Sequence, residues 1–139
     1  IVDRVARGLR GIGVGVGDKV AILARNSHAF IAMRFAIARA GAVLVPVNFM
    51  LNADELSYIM GHSGARVLCT DSGLAELARA AAAKGTAIEQ FIWLPGEAPA
   101  EPCDGMIPFE ALLAPAACVH RQWSGAREPR SEMAGEWSP

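Results

Sequence analysis

The chain has 139 residues, with 13 basic and 14 acidic side chains and a formal net charge of −1. Charges of both signs are interspersed, which leaves no electrostatic footprint for nucleic acid or for an anionic membrane and excludes both partner classes. One ordinary domain fits this length, and it buries roughly two-thirds of the surface its unfolded chain exposes.

Val2, Val5, Ala6 and Leu9 recur at i, i+3, i+4 and i+7, so the chain opens with an amphipathic helix. "GIGVGVG" follows, with glycine at Gly11, Gly13, Gly15 and Gly17, and then the apolar run "KVAILA" from Lys19 to Ala24 predicts a strand. A phosphate-cradling loop needs strand, glycine turn and helix in that order, because phosphate rests on N–H groups at a helix N-terminus. Here the order is reversed, and the spacing misses G-x-G-x-x-G at Val16 and Asp18. These glycines therefore predict a helix C-cap and a tight turn into a strand, where positive φ is needed.

Ser27 is placed to N-cap a second helix. Phe30, Ile31, Met33, Phe35, Ala36 and Ile37 run round most of its circumference, predicting a helix that is largely enclosed. Gly41 ends it, and "AVLVPV" (Ala42 to Val47) predicts a strand covered on both faces, with Pro46 near its end. The apolar stretch from Ala29 to Val47 is no bilayer span, since Arg34, Arg39 and Gly41 interrupt it.

Asn52 with Glu55 three residues on is a capping box opening a third helix through Leu56, Ile59 and Met60, with Gly61 to Gly64 as its stop. "ARVLCT" (Ala65 to Thr70) is a third strand. Asp71 or Ser72 then caps a fourth helix carrying Leu74, Leu77, Ala78 and Ala81 to Lys84, closed by Gly85. "IEQFIWL" (Ile88 to Leu94) is a fourth strand. Such alternation predicts an α/β fold, with Rossmann-like layers and mostly parallel strands.

From Pro95 the texture changes, since "PGEAPAEPCDGMIP" is proline-rich and is expected not to continue the packing pattern. Only "FEALLA" (Phe109 to Ala114) predicts a further short helix. The remainder shows neither period and is expected to be poorly ordered. The expected organisation is an α/β subdomain over 1–94, a proline-rich connection with a short helix over 95–114, and a tail over 115–139.

Ligands of open α/β sheets lie beyond the carboxyl ends of the strands, which nominates Asn26, Ser27, Asn48, Asp71 and Ser72. Each also suits a cap or a turn, and capping is the expected role. His28, His62 and His120 share no metal-ligand spacing with one another or with a cysteine. Cys69, Cys103 and Cys118 form no C-x-x-C pair and are odd in number, which argues for a reducing compartment and a cytoplasmic location. Mid-strand Cys69 reads as a small buried hydrophobe rather than a nucleophile. Spacing alone thus assigns no catalytic, cofactor-binding or metal-binding residue.

The stretch from Val5 to Asp71, and above all its blocks "GVGDKVAIL", "RAGAVLVPVN" and "ELSYIMGHSGARVL", resembles the N-terminal part of adenylate-forming acyl-CoA synthetases, the AMP-binding enzymes. The likeness extends more loosely to "FEALLA". It implies a two-step reaction in which a carboxylate attacks ATP to give an acyl-adenylate and pyrophosphate, and coenzyme A then takes the acyl group as a thioester. Mg²⁺ would neutralise phosphate charge in the first step. It also implies that the serine- and threonine-rich phosphate loop, the ribose-binding aspartate and the catalytic lysine follow the matched segment. "SGAREPRSEM" (Ser124 to Met133) echoes that loop only faintly, because it lacks threonine, Arg130 stands for lysine and Ser131 for glycine. It is assigned no role.

The expectation is therefore a piece of an acyl-CoA synthetase, inactive alone, with ATP, Mg²⁺ and coenzyme A belonging to the whole enzyme and no cofactor to this chain. With no initiator Met and no signal peptide at Ile1, a piece of something longer is expected. Composition points the same way: 53% hydrophobic residues and a mean hydropathy of +0.28 are apolar-heavy, implying surface that awaits the rest of the chain or a second copy. The rival readings are a non-catalytic α/β binding or interaction domain, and a nucleotide-binding domain built on the glycine stretch.

Overall fold

The computed structural model describes residues 1–115. The expected tail, with Cys118, His120 and the Ser124 to Met133 stretch, lies outside the described residues from 116 onward.

Helix α1 (Val2–Gly11) buries Val5, Ala6, Gly8 and Leu9, the face its sequence period marks out. The glycine stretch then turns as expected into strand β1 (Lys19–Leu23). Gly13 and Gly17 take φ of 96° and 81°, where a Cβ would be strained. Asp18 Oδ2 accepts from the Gly15 N–H at 2.8 Å, and the Gly17 N–H donates to the Gly41 carbonyl at 2.9 Å, so the turn is a brace within the fold.

Helix α2 (His28–Arg39) leads to strand β2 (Val43–Pro46), and α3 (Ala53–Ser63) to β3 (Val67–Thr70). Helix α4 (Ala75–Ala82) precedes β4 (Gln90–Trp93). The Asn52–Glu55 capping box is complete: Asn52 Oδ1 accepts from the Asp54 and Glu55 N–H groups, and Glu55 Oε2 from the Asn52 N–H. Gly64 closes α3 at φ 70°; Gly61, expected as part of the stop, lies inside the helix.

All strand pairs are parallel and the sheet order is β2-β1-β3-β4-β5, with β5 at Ile107–Pro108. Alternate residues of β1 divide the core. Val20 and Ile22 pack with Leu9, Met33 and Ile37 of α1 and α2, while Ala21 and Leu23 pack with Leu56, Met60 and Ala78 of α3 and α4. At the amino ends of β1, β3 and β4, Arg66 reaches Asp18 at 3.3 Å and Glu89 at 3.0 Å.

Three expectations need correction. The proline-rich segment does return to the core: β5 extends the sheet beside β4, and the 3-10 helix Phe109–Leu113 buries Phe109 and Leu112 against α1. Met106 is buried as well, packed with Trp93 and Ala75. Second, β2 is not covered on both faces. It is the edge strand, and Val43 is 45% exposed. Third, α2 is not enclosed, because only Ala29, Met33, Ala36 and Ile37 are buried while Ile31 and Phe35 remain 47% and 59% exposed. An apolar helix or strand tells that both faces suit burial; which face is covered depends on the layers present.

Candidate functional site

The carboxyl ends of β1 and β3 open into a depression of about 350 Å³, whose floor and walls include Arg25, Asn26, Asp71, Ser72, Gly73 and Glu97. Of the five residues nominated from sequence, Asn26, Asp71 and Ser72 come together here. Ser27 and Asn48 do not. Ser27 Oγ accepts from the Phe30 N–H at 3.1 Å, which is the expected N-cap of α2. Asn48 Oδ1 accepts from the Met50 N–H at 2.9 Å and closes the loop after β2.

Asp71 is 6% exposed and works as a structural acceptor. Its Oδ2 accepts from the Arg25 backbone N–H at 2.9 Å and its Oδ1 from the Leu74 N–H at 3.1 Å. The expectation that Asp71 or Ser72 caps α4 is corrected: the N-cap position falls on Leu74, which makes no side-chain cap bond. Asp71 instead ties the turn ahead of the helix, three residues upstream, because its carboxylate is engaged across the sheet as well. Ser72 Oγ accepts from Trp93 Nε1 at 2.7 Å, linking the exits of β3 and β4.

Arg25, Gly73 and the segment from Gly96 to Ala100 are contributions that spacing did not single out. Gly73 carries a steric signature: a Cβ there would lie 2.6 Å from Arg25 Nη1, so glycine leaves the space the guanidinium occupies. Only the fold brings these two residues, 48 apart in sequence, to one place.

His28 begins α2, and His62 lies in the last turn of α3, stacked on Tyr58 with ring centroids 5.8 Å apart. No three His, Cys, Asp or Glu side chains among the described residues gather as a metal cluster. Burial pushes the Cys69 thiol well up from its usual range, so it is held as the neutral thiol. No helix among the described residues is long and apolar enough to cross a membrane.

The lining of the depression offers an anion one cation, Arg25, against two carboxylates, Asp71 and Glu97. Both Asp71 oxygens are occupied by backbone N–H groups, and Ser72 Oγ is held by Trp93. One exposed cation, Arg25, and one exposed carboxylate, Glu97, remain at the rim.

A five-stranded parallel sheet between helices, with glycine turns that brace rather than cradle, defines an α/β scaffold. The family described as AMP-binding enzyme matches residues 1–114, and the chain belongs to that family. It is 46% identical over 82 residues to a feruloyl-CoA synthase of an Amycolatopsis species, covering 59% of this chain and 17% of that protein. It is 34% identical over 110 residues to the long-chain-fatty-acid–CoA ligase of Thermus thermophilus, covering 79% of this chain and 20% of the ligase. Among solved structures, the N-terminal domain of FACL13 from Mycobacterium tuberculosis superposes with a TM-score of 0.63 at 28% identity, covering 97% of this chain and 30% of that one. The chain thus spans about a fifth of the length of these curated relatives.

Proposed function

We propose that this chain builds the N-terminal α/β scaffold of an ATP-dependent ligase that joins a carboxylic acid to coenzyme A, and that the 139-residue stretch alone catalyses neither half of that reaction. The family match over residues 1–114 supports the first part, together with relatives named as CoA synthases and ligases. The acid is left at its class, since a feruloyl and a long-chain fatty acyl enzyme are both among the relatives.

The second part rests on how the polar groups at the sheet's carboxyl end are used. In the first half-reaction a carboxylate oxygen attacks the α-phosphorus of ATP and pyrophosphate leaves; in the second the thiol of coenzyme A displaces AMP from the acyl carbon. Both steps need preorganised donors aimed at developing charge, and loss of a single such donor costs roughly a hundredfold or more in rate. Here Arg25 is the one cationic donor lining the depression, while Asp71, Ser72 and Ser27 accept hydrogen bonds from the backbone or Trp93. What they supply is a rigid platform.

Pyrophosphate release by the purified chain, with ATP, Mg²⁺ and a panel of aromatic and aliphatic carboxylic acids, tests the inactivity. We expect no release above a protein-free blank, and turnover with any acid overturns it. Ligase membership is tested separately by grafting residues 1–114 in place of the matching segment of the Thermus thermophilus ligase, where acyl-CoA formation is expected to persist.

A further inference from the structure

The outward side of α1 carries Asp3, Arg4, Arg7 and Arg10, all exposed, while Val5, Ala6, Gly8 and Leu9 are buried. At about 100° per residue, the four exposed side chains fall within roughly 120° of the helix circumference and so form one stripe. Arg39, at the end of α2, joins it: its guanidinium pairs with Asp3 at 2.9 Å, and its carbonyl accepts from Arg10 Nη2 at 3.0 Å. Arg4 and Arg7 have no side-chain partner among the described residues. In a chain of formal net charge −1, this face gathers four guanidinium groups around a single carboxylate. Charges interspersed along the chain are sorted by the fold, and the exclusion drawn from their order is reopened on this one face.

The glycine turn puts an apolar tip at the same end. Val16 is 75% exposed, next to Gly17 at φ 81°, whose N–H holds the Gly41 carbonyl two residues beyond Arg39. Gly41 lies under the valine, since a Cβ there would come within 3.1 Å of Val16 Cγ2. The brace uses the glycines and Asp18, so an apolar side chain out in water at this position has no role inside the fold.

We propose that the α1 stripe and Val16 rest together on an anionic lipid bilayer, with the arginines against headgroup phosphates and the valine in the interface. Positive charge on one helix face beside an apolar tip matches a membrane surface, where phosphates lie over acyl chains. A nucleic acid would reward the arginines but not the valine, which has neither a donor nor a ring to stack on a base. Arginine stems lie along such a surface while their charged heads reach phosphate. Each arginine there is worth about a fivefold gain in partition, and Arg4 and Arg7 deliver it without first breaking an ion pair. This inference stands on the placement of charge and goes beyond the ligase reading.

Co-sedimentation of the 139-residue chain with sucrose-loaded vesicles tests it. Vesicles of phosphatidylcholine with roughly a quarter phosphatidylglycerol are expected to take up the chain at least tenfold more strongly than pure phosphatidylcholine, and about 0.5 M NaCl to remove the difference. Arg4→Gln/Arg7→Gln is expected to keep the circular dichroism spectrum and Tm while lowering the partition at least tenfold, whereas Arg4→Lys/Arg7→Lys holds it within about twofold. Val16→Ser is expected to lower it roughly threefold with the salt response unchanged. Equal uptake by neutral and anionic vesicles overturns the proposal, because other apolar surface then drives binding. So does an unchanged partition of the glutamine variant. Binding that survives the added salt overturns it irrespective of whether the variants fold. A short DNA duplex that strips the parent chain from the vesicles at equal phosphate concentration gives the face to nucleic acid and overturns the lipid assignment.

Discussion

The carboxylate of Asp71 accepts a hydrogen bond from the backbone N–H of Arg25 at 2.9 Å, tying together the points where β1 and β3 leave the sheet. Its other oxygen holds the Leu74 N–H, so one buried side chain fixes two backbone segments at once. Asp71→Ala would leave both donors without a partner. The expected loss is about 1–3 kcal/mol, the cost of a buried donor left unsatisfied, and it falls chiefly on the Leu74 N–H. Asp71→Asn keeps one acceptor oxygen and should fall between the two. Urea denaturation of the three chains, read by circular dichroism, gives the order; equal stability of the alanine variant and the parent would refute the bridging role.

Trp93 and Ser72 make a second tie, with the indole N–H donating at 2.7 Å. Ser72→Ala strands that N–H in a residue only 4% exposed, at a cost of about 1–2 kcal/mol. Trp93→Phe removes the donor as well, at the expense of some packing. In a double-mutant cycle the two changes should couple by about 1–2 kcal/mol, so that adding Ser72→Ala to Trp93→Phe costs almost nothing more. Strict additivity would show that the bond contributes no stability.

The sequence carried most of this scaffold because its elements are written in local periods. The 3.6-residue face of α1, the continuous run of β1 and the Asn52–Glu55 box each depend on neighbours within a turn or two. The missed strand β5 is only Ile107–Pro108, too short to establish a period, and proline inside it reads as a breaker. Burial of α2 and β2 was misread for a different reason: Phe35 and Val43 are apolar, and apolarity does not say whether the covering layer lies within the same stretch of chain. The candidate site was half legible. Asn26, Asp71 and Ser72 follow strands and so could be named, whereas Arg25 over Gly73 and Trp93 on Ser72 are long-range pairings that no local pattern encodes.

Cys69 and Cys103 should differ sharply in reactivity. Cys69 is fully buried between β1 and β4, while Cys103 is half-buried on the loop before β5. With iodoacetamide at pH 8 and peptide mapping, Cys103 is expected to alkylate in the native chain and Cys69 only after denaturation. The raised Cys69 value also fixes a sign for stability. Its proton is held more tightly in the folded state, so the contribution is fully present below the unfolded thiol value of about 9 and is lost as pH rises above it. That loss is about 1.4 kcal/mol per pH unit from this one group. Cys69→Ser, which also removes the raised thiol, should flatten the alkaline limb by that slope; an unchanged limb would assign the loss to other groups.

Gly8 and Gly61 both lie inside helices, and helix propensity alone favours alanine over glycine at either by about 1 kcal/mol. Packing reverses the sign at only one of them. A Cβ on Gly8 would overlap the carbonyl oxygen of Leu112 and lie 2.7 Å from its Cα, where the 3-10 helix crosses α1. Both obstacles are backbone, so they cannot swing away as a flexible side chain would. Separating the two elements costs about 1–3 kcal/mol or more in a core packed to normal density, which outweighs the propensity gain. At Gly61 a Cβ meets nothing within 4 Å. Gly61→Ala should therefore raise the denaturation midpoint, by about 0.5–1 kcal/mol of stability. Gly8→Ala should lower it and loosen the 3-10 helix, which faster hydrogen exchange at the Leu112 and Leu113 amides would report. A stabilising Gly8→Ala would mean that the segment after β5 does not pack on α1 in solution.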